Sequence, residues 1–563
     1  MRRPPTSWIS PTLAGLLTLI VFLPGITWGL PTRADDAFLF GDRTPWTGAE
    51  ILELAGGFEA DEGRGADVDA NPLTDRADVV LNATDAQRAE IVRRYRLFSE
   101  QPDEFITFAA LAGMAERRDA DPRLYQYGGL WVYPIGGLLG VADLLGLATV
   151  TGDLAHYLDH PADFGRFYVI ARLYSAAWGA VGGALVWIIV RRLSNCPLAA
   201  LVGVATYILL PAVITMGHEA KPHLPATVLM LLTCLLADNA DRNPTTRNSA
   251  LLGIAAGTAA GMLISAVLVW LVIPLALFLK PKAERSEASD RSGASLRSAR
   301  GFALLLTLPP LTYALTNPYV LINALTAPDL LTSNLGNSTA MYEPTSPLET
   351  VGHAFALLIV GGGPIILLAL AASTMLPALA YFRKRKPTTP LPIFLAVPAA
   401  AVLVQFVLLA IDDDGPKPAE YARFALFPIV CLGIAAVMFA HRLAEWSRPK
   451  AGKLGSIWLA VPVVLTLPVG LIYQTAFVVD DTRVAAAIEI EHWQGSTLRV
   501  GAEPAPYSMP PVDLWRWELV LDDDDPNVVA TDTGPTPMTW ANKPFSLTRP
   551  EASWTQPSAS PHN

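Results

Sequence analysis

Apolar runs recur along almost the whole chain, and they settle which solvent it folds in. Candidate crossings fall at roughly 11–30, 167–190, 198–216, 224–237, 249–264, 265–279, 301–316, 353–381, 391–411, 424–440 and 455–478. Several reach the ~17–25 residues that a bilayer's hydrocarbon core demands. Only 16% of the residues are charged, where a soluble chain carries about a quarter. The first run is longer and richer in Pro and Trp than the core of a signal peptide, and no clear small-residue cleavage site precedes Asp35. It reads as a retained helix. The expected fold class is an all-α polytopic membrane protein of about 11 transmembrane helices, or 12 if the apolar stretch 129–150 also spans, with a small outer appendage at the carboxyl end.

Charge orients the helices. Basic clusters fall at Arg2–Arg3, Arg191–Arg192, Arg242 with Arg247, the segment 280–300, the "RKRK" at 383–386 and the stretch 441–453. Lys and Arg collect in cytoplasmic loops. Placing all of these clusters inside gives alternating sides for eleven crossings, with the amino terminus in the cytoplasm. Counting 129–150 as a crossing would break the pattern, and its glycines and Asp143 fit an interfacial or re-entrant helix better. The expected organisation is a first helix in 1–30, a large extracytoplasmic loop over 31–166, transmembrane helices over 167–316, an outer loop over 317–352, further helices over 353–478 and an outer tail over 479–563. Segments such as "STLRVGAE" and "PNVVATD" make that tail partly β and partly irregular. The three cysteines, Cys196, Cys234 and Cys431, lie in or beside apolar runs and offer neither a disulfide framework nor metal-ligand spacing.

Four outer pieces carry unusual chemistry. Two adjacent acids, Asp35 and Asp36, stand against "AFLF" just past the first helix. They could be a solvated helix end. Apolar neighbours would instead raise a carboxyl pKa toward the range of a general base. The stretch "DPRLYQYGGLWVYP" sets Arg123, Tyr125, Gln126 and Tyr127 before an apolar run, which suits an aromatic belt or a sugar-binding surface equally. In "MGHEAKPH", His218, Glu219, Lys221 and His223 lie within six residues between two crossings, and ionisable groups at that depth are functional candidates. The two histidines could also take a metal, though their spacing matches no known motif. In "EYARFALFP", Tyr421 and Arg423 open a helix, where an Arg can anchor at the interface or grip a phosphate with two hydrogen bonds. All four pieces fall on the same side of the bilayer, as a reaction on a lipid-linked anionic substrate requires.

The order of these pieces resembles a known family. An acidic pair follows the first helix; then come "YQYGGLWVYP", "HEAKPH" after "LLPAVITMG", "TNPYVLINA" and "EYARFALFP". The sequence is similar, over roughly residues 10 to 480, to the GT-C superfamily of integral-membrane glycosyltransferases, nearest to its protein mannosyltransferases and lipid A aminoarabinose transferases. The resemblance implies a catalytic carboxylate at Asp35 or Asp36; the family's more usual pair is Asp-Glu, so the choice between them stays open. It implies a sugar donor on a polyprenyl monophosphate and inversion at the anomeric carbon. The phosphate would meet Lys221, Arg423, Arg123 or His218. Glu219, His223, Tyr125, Gln126, Tyr127, Tyr319 and Tyr421 would line the substrate site, with Asn317-Pro318-Tyr319 leading into the family's outer loop. The expected partners are a lipid, glycan or protein acceptor and the bilayer, with no nucleic acid. The expected location is a bacterial inner membrane with an extracytoplasmic site.

No cofactor is required by a monophosphate leaving group, and a divalent metal is left open. Two other readings compete. An oligosaccharyltransferase or lipid-linked glycan polymerase would carry an acidic metal-binding motif in the second outer turn, where "HEAKPH" has one acid and a lysine. A transporter would show inverted repeats and charges at the midplane, whereas here they gather on one face. Sequons at Asn82 and Asn337 are also present. Replacing either Asp35 or Asp36 with Asn is expected to leave folding intact.

Overall fold

Where the apolar runs fall, the chain is helical, and proline and glycine decide where the helices break. The computed structural model describes residues 9–55, 79–278, 299–339, 346–372, 390–408, 411–412, 415–416, 419–501, 506–507, 509–522, 525–531 and 538–550. The basic segments at 280–298 and 383–386, Arg2–Arg3 and the acids Asp413 and Asp414 lie outside these.

Among the described residues, five helices are long and apolar enough to cross a membrane: Pro161–Ser194, His223–Arg242, Leu391–Leu408, Ala419–Pro449 and Leu454–Ala476. Two bent pairs raise the number to seven if each is one span. Among the described residues helix length and composition thus yield five to seven spans, and the reasons are local. The run expected at 198–216 is two helices, Pro197–Ile208 and Pro211–His218, at 61° to each other. Pro211 pushes Leu210 into an extended conformation (φ −69°, ψ 125°) and ends the first helix. The run at 353–381 opens as Pro347–Gly362 and turns by 115° into Ile365–Ala372; Gly363, at φ +71°, makes the turn. The first helix covers only Ile9–Phe22, and 249–279 divides into Thr246–Met262, a 3₁₀ stretch Ile264–Leu271 and Val272–Phe278. Helix Gly129–Leu144 has 16 residues, about 24 Å at 1.5 Å per residue and short of a ~30 Å core.

The chain divides into two units. One comprises Met1–Ile26, Ile106–Val141 and Val169–Val478 and holds the long apolar helices. Three of its sequence motifs interlock through backbone. Gly128 lies so close to Gly261 that a Cβ there would stand 1.9 Å from the Gly261 carbonyl oxygen. Tyr127 pairs with Leu263 in an isolated β-bridge, and the Gly129 amide donates to Asn317 Oδ1 at 2.7 Å. The glycines of "YQYGG" and the Asn of "TNPY" thus serve one joint.

The second unit comprises Thr27–Phe105, Ala142–Tyr168 and Val479–Asn563. It contains a five-stranded sheet, so the chain is not purely α-helical. Strand Thr497–Val500 runs parallel to Glu518–Leu521 on one side and to Val528–Ala530 on the other. Phe545–Leu547 pairs antiparallel with Val528–Ala530, and Val79–Val80, from the segment between the first helix and Gly129, pairs antiparallel with Glu518–Leu521. The carboxyl-terminal segment is therefore integral to this unit and not a loose appendage. Asn82 fastens the two segments: its Nδ2 donates to the carbonyls of Leu514 and Trp517, both at 2.8 Å, and its Oδ1 accepts from the Leu519 amide at 2.9 Å. With its amide spent and only 2% of its surface exposed, Asn82 is not an acceptor for a glycan.

Candidate active site

The acidic pair resolves into two unlike residues. Asp36 opens a one-turn helix, Asp36–Leu39. Its carboxylate accepts from Arg96 Nε at 3.1 Å and Nη2 at 2.9 Å, and from Arg33 Nε at 3.2 Å. Arg96 lies on helix Asp85–Leu97, is completely buried, and also donates to the carbonyls of Trp46 and Leu158. That bidentate contact makes Asp36 a structural clamp.

Asp35, one residue earlier, is 4% exposed. Among the described residues its carboxylate makes no capping hydrogen bond to the helix it precedes. Burial, reinforced by the charges of Asp481 and Asp36, pushes its pKa up to about 6 against the opposing pull of Arg483. A carboxyl group that is desolvated, lightly tethered and titrating near neutral pH suits proton abstraction.

In the other unit, the candidates of "MGHEAKPH" and "EYARFALFP" fall into three groups. His218 ends helix Pro211–His218 with Nδ1 at 2.8 Å from the Ile214 carbonyl and Nε2 at 2.9 Å from the Pro24 carbonyl. It stacks on Phe477 at 4.3 Å. Both ring nitrogens are turned to backbone, so its place is in packing rather than on a phosphate. Lys221 Nζ lies 3.3 Å from Glu219 Oε2, and neither side chain has more than 1% of its surface exposed. His223 gathers aromatic rings around it: Phe424 at 5.3 Å and Tyr127 at 6.4 Å, both edge-on. Arg423, on the 3₁₀ turn Ala419–Ala425, spreads over the rings of Tyr421 at 5.2 Å and Phe424 at 4.9 Å and meets Glu420 at 3.3 Å. His223 and Arg423 line a small cavity of about 30 Å³, together with Met230, Leu263, Val402 and Phe427.

Tyr125 belongs to a separate cluster. Its hydroxyl lies 3.0 Å from Asp121 Oδ1, and Asn323 Nδ2 donates to Asp121 Oδ2 at 2.8 Å. Burial raises the Tyr125 pKa, which keeps the phenol protonated. Among the described residues, the buried atoms Arg123 Nε and Gln126 Oε1 in the same stretch have no hydrogen-bond partner. Tyr319 is half-buried at the start of helix Pro318–Thr326.

The structure adds residues that sequence reasoning passed over: Arg96, Asp121, Arg483 and Arg172. Arg172 is fully buried on helix Pro161–Ser194 and donates to the Ile26 carbonyl at 3.1 Å. Its signal was available, since a lone Arg inside an apolar run is costly unless it has a task. Arg96 and Arg483 sit in polar segments and give no such signal. Among the described residues no three His, Cys, Asp or Glu side chains come together as a set that could hold a metal ion.

Helices and site together define the class: an integral membrane protein with an α/β unit that carries a buried, titratable acid. Comparison with known proteins adds a partial match to one family model. Residues 164–313 match the family model described as dolichyl-phosphate-mannose-protein mannosyltransferase. The likeness to GT-C membrane glycosyltransferases read from the motifs is thus borne out. No curated protein matches the sequence. Among solved structures, ArnT from Cupriavidus metallidurans bound to undecaprenyl phosphate aligns with 13% identity and a TM-score of 0.42, over 76% of this chain and 83% of that one. The same protein in the apo state aligns with 15% identity and a TM-score of 0.37, over 69% and 70% of the two chains.

Proposed function

We propose that this protein is a membrane glycosyltransferase that moves a hexosyl or pentosyl group from a polyprenyl-phosphate donor to a lipid, glycan or protein acceptor, with inversion at the anomeric carbon and Asp35 as general base. The observation that carries this reading is the contrast within the acidic pair. Asp36 is held by three arginine contacts. Asp35 is buried, lightly tethered and raised to a pKa of about 6. The matched mannosyltransferase family supports the reaction class, and the undecaprenyl phosphate held by ArnT supports the donor lipid.

The step is a displacement. Asp35 takes the proton of an acceptor hydroxyl, the freed oxygen forms a bond to the anomeric carbon, and the bond to the donor's phosphate oxygen breaks with its electron pair. The leaving polyprenyl phosphate is already an anion, so cations suffice to stabilise it. Lys221 and Arg423 are the residues assigned to it. Lys221 is the point charge, and Arg423 supplies the fork that a phosphate accepts with two hydrogen bonds. The reaction would face the extracytoplasmic side of a bacterial inner membrane. Base and cations belong to different units of the chain.

Lipid extracts of cells lacking the protein provide the test of the reaction class. A polyprenyl-phosphate sugar should accumulate and disappear on complementation. An unchanged lipid profile would count against a lipid-linked donor.

A further inference from the structure

We infer that Trp515, from the carboxyl-terminal segment, is a positioning residue that fixes the turn bearing Asp35; this rests on the reading of Asp35 as the base. The acidic turn closes on its own backbone. The amides of Phe38 and Leu39 donate to the Asp35 carbonyl, both at 3.0 Å, and the Phe40 amide donates to the Asp36 carbonyl at 3.0 Å. A helix of four residues does not hold its shape alone, since isolated helices under ~12–15 residues are marginal in water. Its far end is held by the turn 513–517. The Leu514 amide donates to the Leu39 carbonyl at 3.1 Å, one of the acceptors that a helix end leaves open. The Phe40 ring lies 5.4 Å from both Trp46 and Trp515, and these two lie 5.2 Å from each other. Gly41, at φ +55°, packs so closely on the same turn that a Cβ there would stand 2.4 Å from Asp513 Oδ2.

The 513–517 turn is itself braced. Asp513 Oδ1 accepts from the amides of Trp515 at 2.9 Å and Arg516 at 3.1 Å. The guanidinium groups of Arg43 and Arg88 lie 5.0 and 5.5 Å from the Trp515 ring, and Arg88 Nε donates to the Leu514 carbonyl at 3.2 Å. Arg88 stands about two turns before Arg96 on helix Asp85–Leu97. Arg96 grips Asp36 and also donates to the Trp46 carbonyl at 2.8 Å. Three segments thus close a ring of contacts: the acidic turn, helix Asp85–Leu97 and turn 513–517. Arg96 fixes the acidic turn through Asp36, and Leu514 with Trp515 fixes its end. Among the described residues the Asp35 side chain caps nothing on this helix, so the direction of its carboxyl depends on how its backbone is held. A displacement of ~1 Å can cost about 10²-fold in rate. The donor phosphate, assigned to residues of the other unit, needs none of these contacts.

Steady-state transfer by the full-length protein in detergent, with a thermal melt of each variant beside it, tests this. Trp515→Leu keeps an apolar side chain but loses the ring. Its kcat should fall by roughly ten- to a hundredfold while the KM for the donor stays at the wild-type value. Trp515→Phe keeps a ring against Phe40 and should recover most of the rate. A merely structural role would lower the folded fraction without separating kcat from KM and without ranking Phe above Leu per folded molecule. Should Trp515→Leu not fold, Arg43→Met strips one cation from the ring at an exposed position, and kcat should again fall at unchanged donor KM. Wild-type kcat in a folded Trp515→Leu, or in Arg43→Met, would overturn the inference. If Asp35→Asn keeps full turnover while Trp515→Leu loses it, the base assignment fails and Trp515 still positions the turn, then on behalf of Asp36. If Asp35→Asn is inactive and folded Trp515→Leu turns over at the wild-type rate, the positioning role fails and the base assignment stands.

Discussion

Two neighbouring aspartates with the same side chain are held differently because their surroundings differ. Arg96 is wholly buried and turns two nitrogens to Asp36. Removing one partner of a buried ion pair leaves an uncompensated charge and costs about 3–5 kcal/mol. Asp36→Asn should therefore lower thermal stability by roughly 3 kcal/mol, measured by melts in detergent, and any loss of transfer should follow the loss of folded protein. A stable but inactive Asp36→Asn would shift the catalytic assignment to Asp36. This corrects the expectation that both Asn variants fold alike. Sequence alone could place the pair beside the membrane, because the apolar run before it and the "AFLF" after it are local. It could not separate the two, because Arg96 lies 60 residues away in a polar stretch where arginines are unremarkable.

Elements were legible where hydropathy speaks and illegible where one residue overrules it. A window averages over Pro211 and Gly363 and reports one continuous run, yet these residues bend the chain by 61° and 115°. The signals were present as proline and glycine punctuation. The motif "YQYGG" was read for its aromatics, and the structure adds the reason for its glycines. Gly128 touches the Gly261 backbone, where no side chain can yield. Gly128→Ala should destabilise by about 1–3 kcal/mol through overpacking, seen as a lower melting temperature, while Gly137→Ala, which meets nothing within 4 Å, should be neutral. Equal melting of the two variants would show that the joint is not tight.

At the scale of the molecule, the membrane class was plain from the recurrence of apolar runs, and the second unit was not. Its sheet joins Val79–Val80 to Glu518–Leu521, and pairing between segments so far apart leaves no local trace in the sequence. The contact of Leu514 and Trp515 with the acidic turn is hidden for the same reason. Orientation rests on charge: the basic segment around Ser289 is expected inside and the acids around Asp413 outside. Cysteines introduced at these two positions should differ in intact cells, with an impermeant thiol reagent labelling the Asp413 site only. Labelling of the Ser289 site alone would invert the topology.

The central claim is that Asp35 is the base of a sugar transfer from a polyprenyl-phosphate donor. The most direct measurement is transfer by the purified protein and by Asp35→Asn, in detergent, across pH 5 to 8. Asn keeps size and polarity but accepts no proton, so turnover should fall by ~10²–10⁴, the usual contribution of a general base. A base is active when deprotonated, and the Asp35 pKa stands at about 6. Wild-type kcat/KM should therefore rise with pH to a plateau above that value, and the residual activity of Asp35→Asn should lack this limb. Full turnover by Asp35→Asn, with the same limb, would contradict the account.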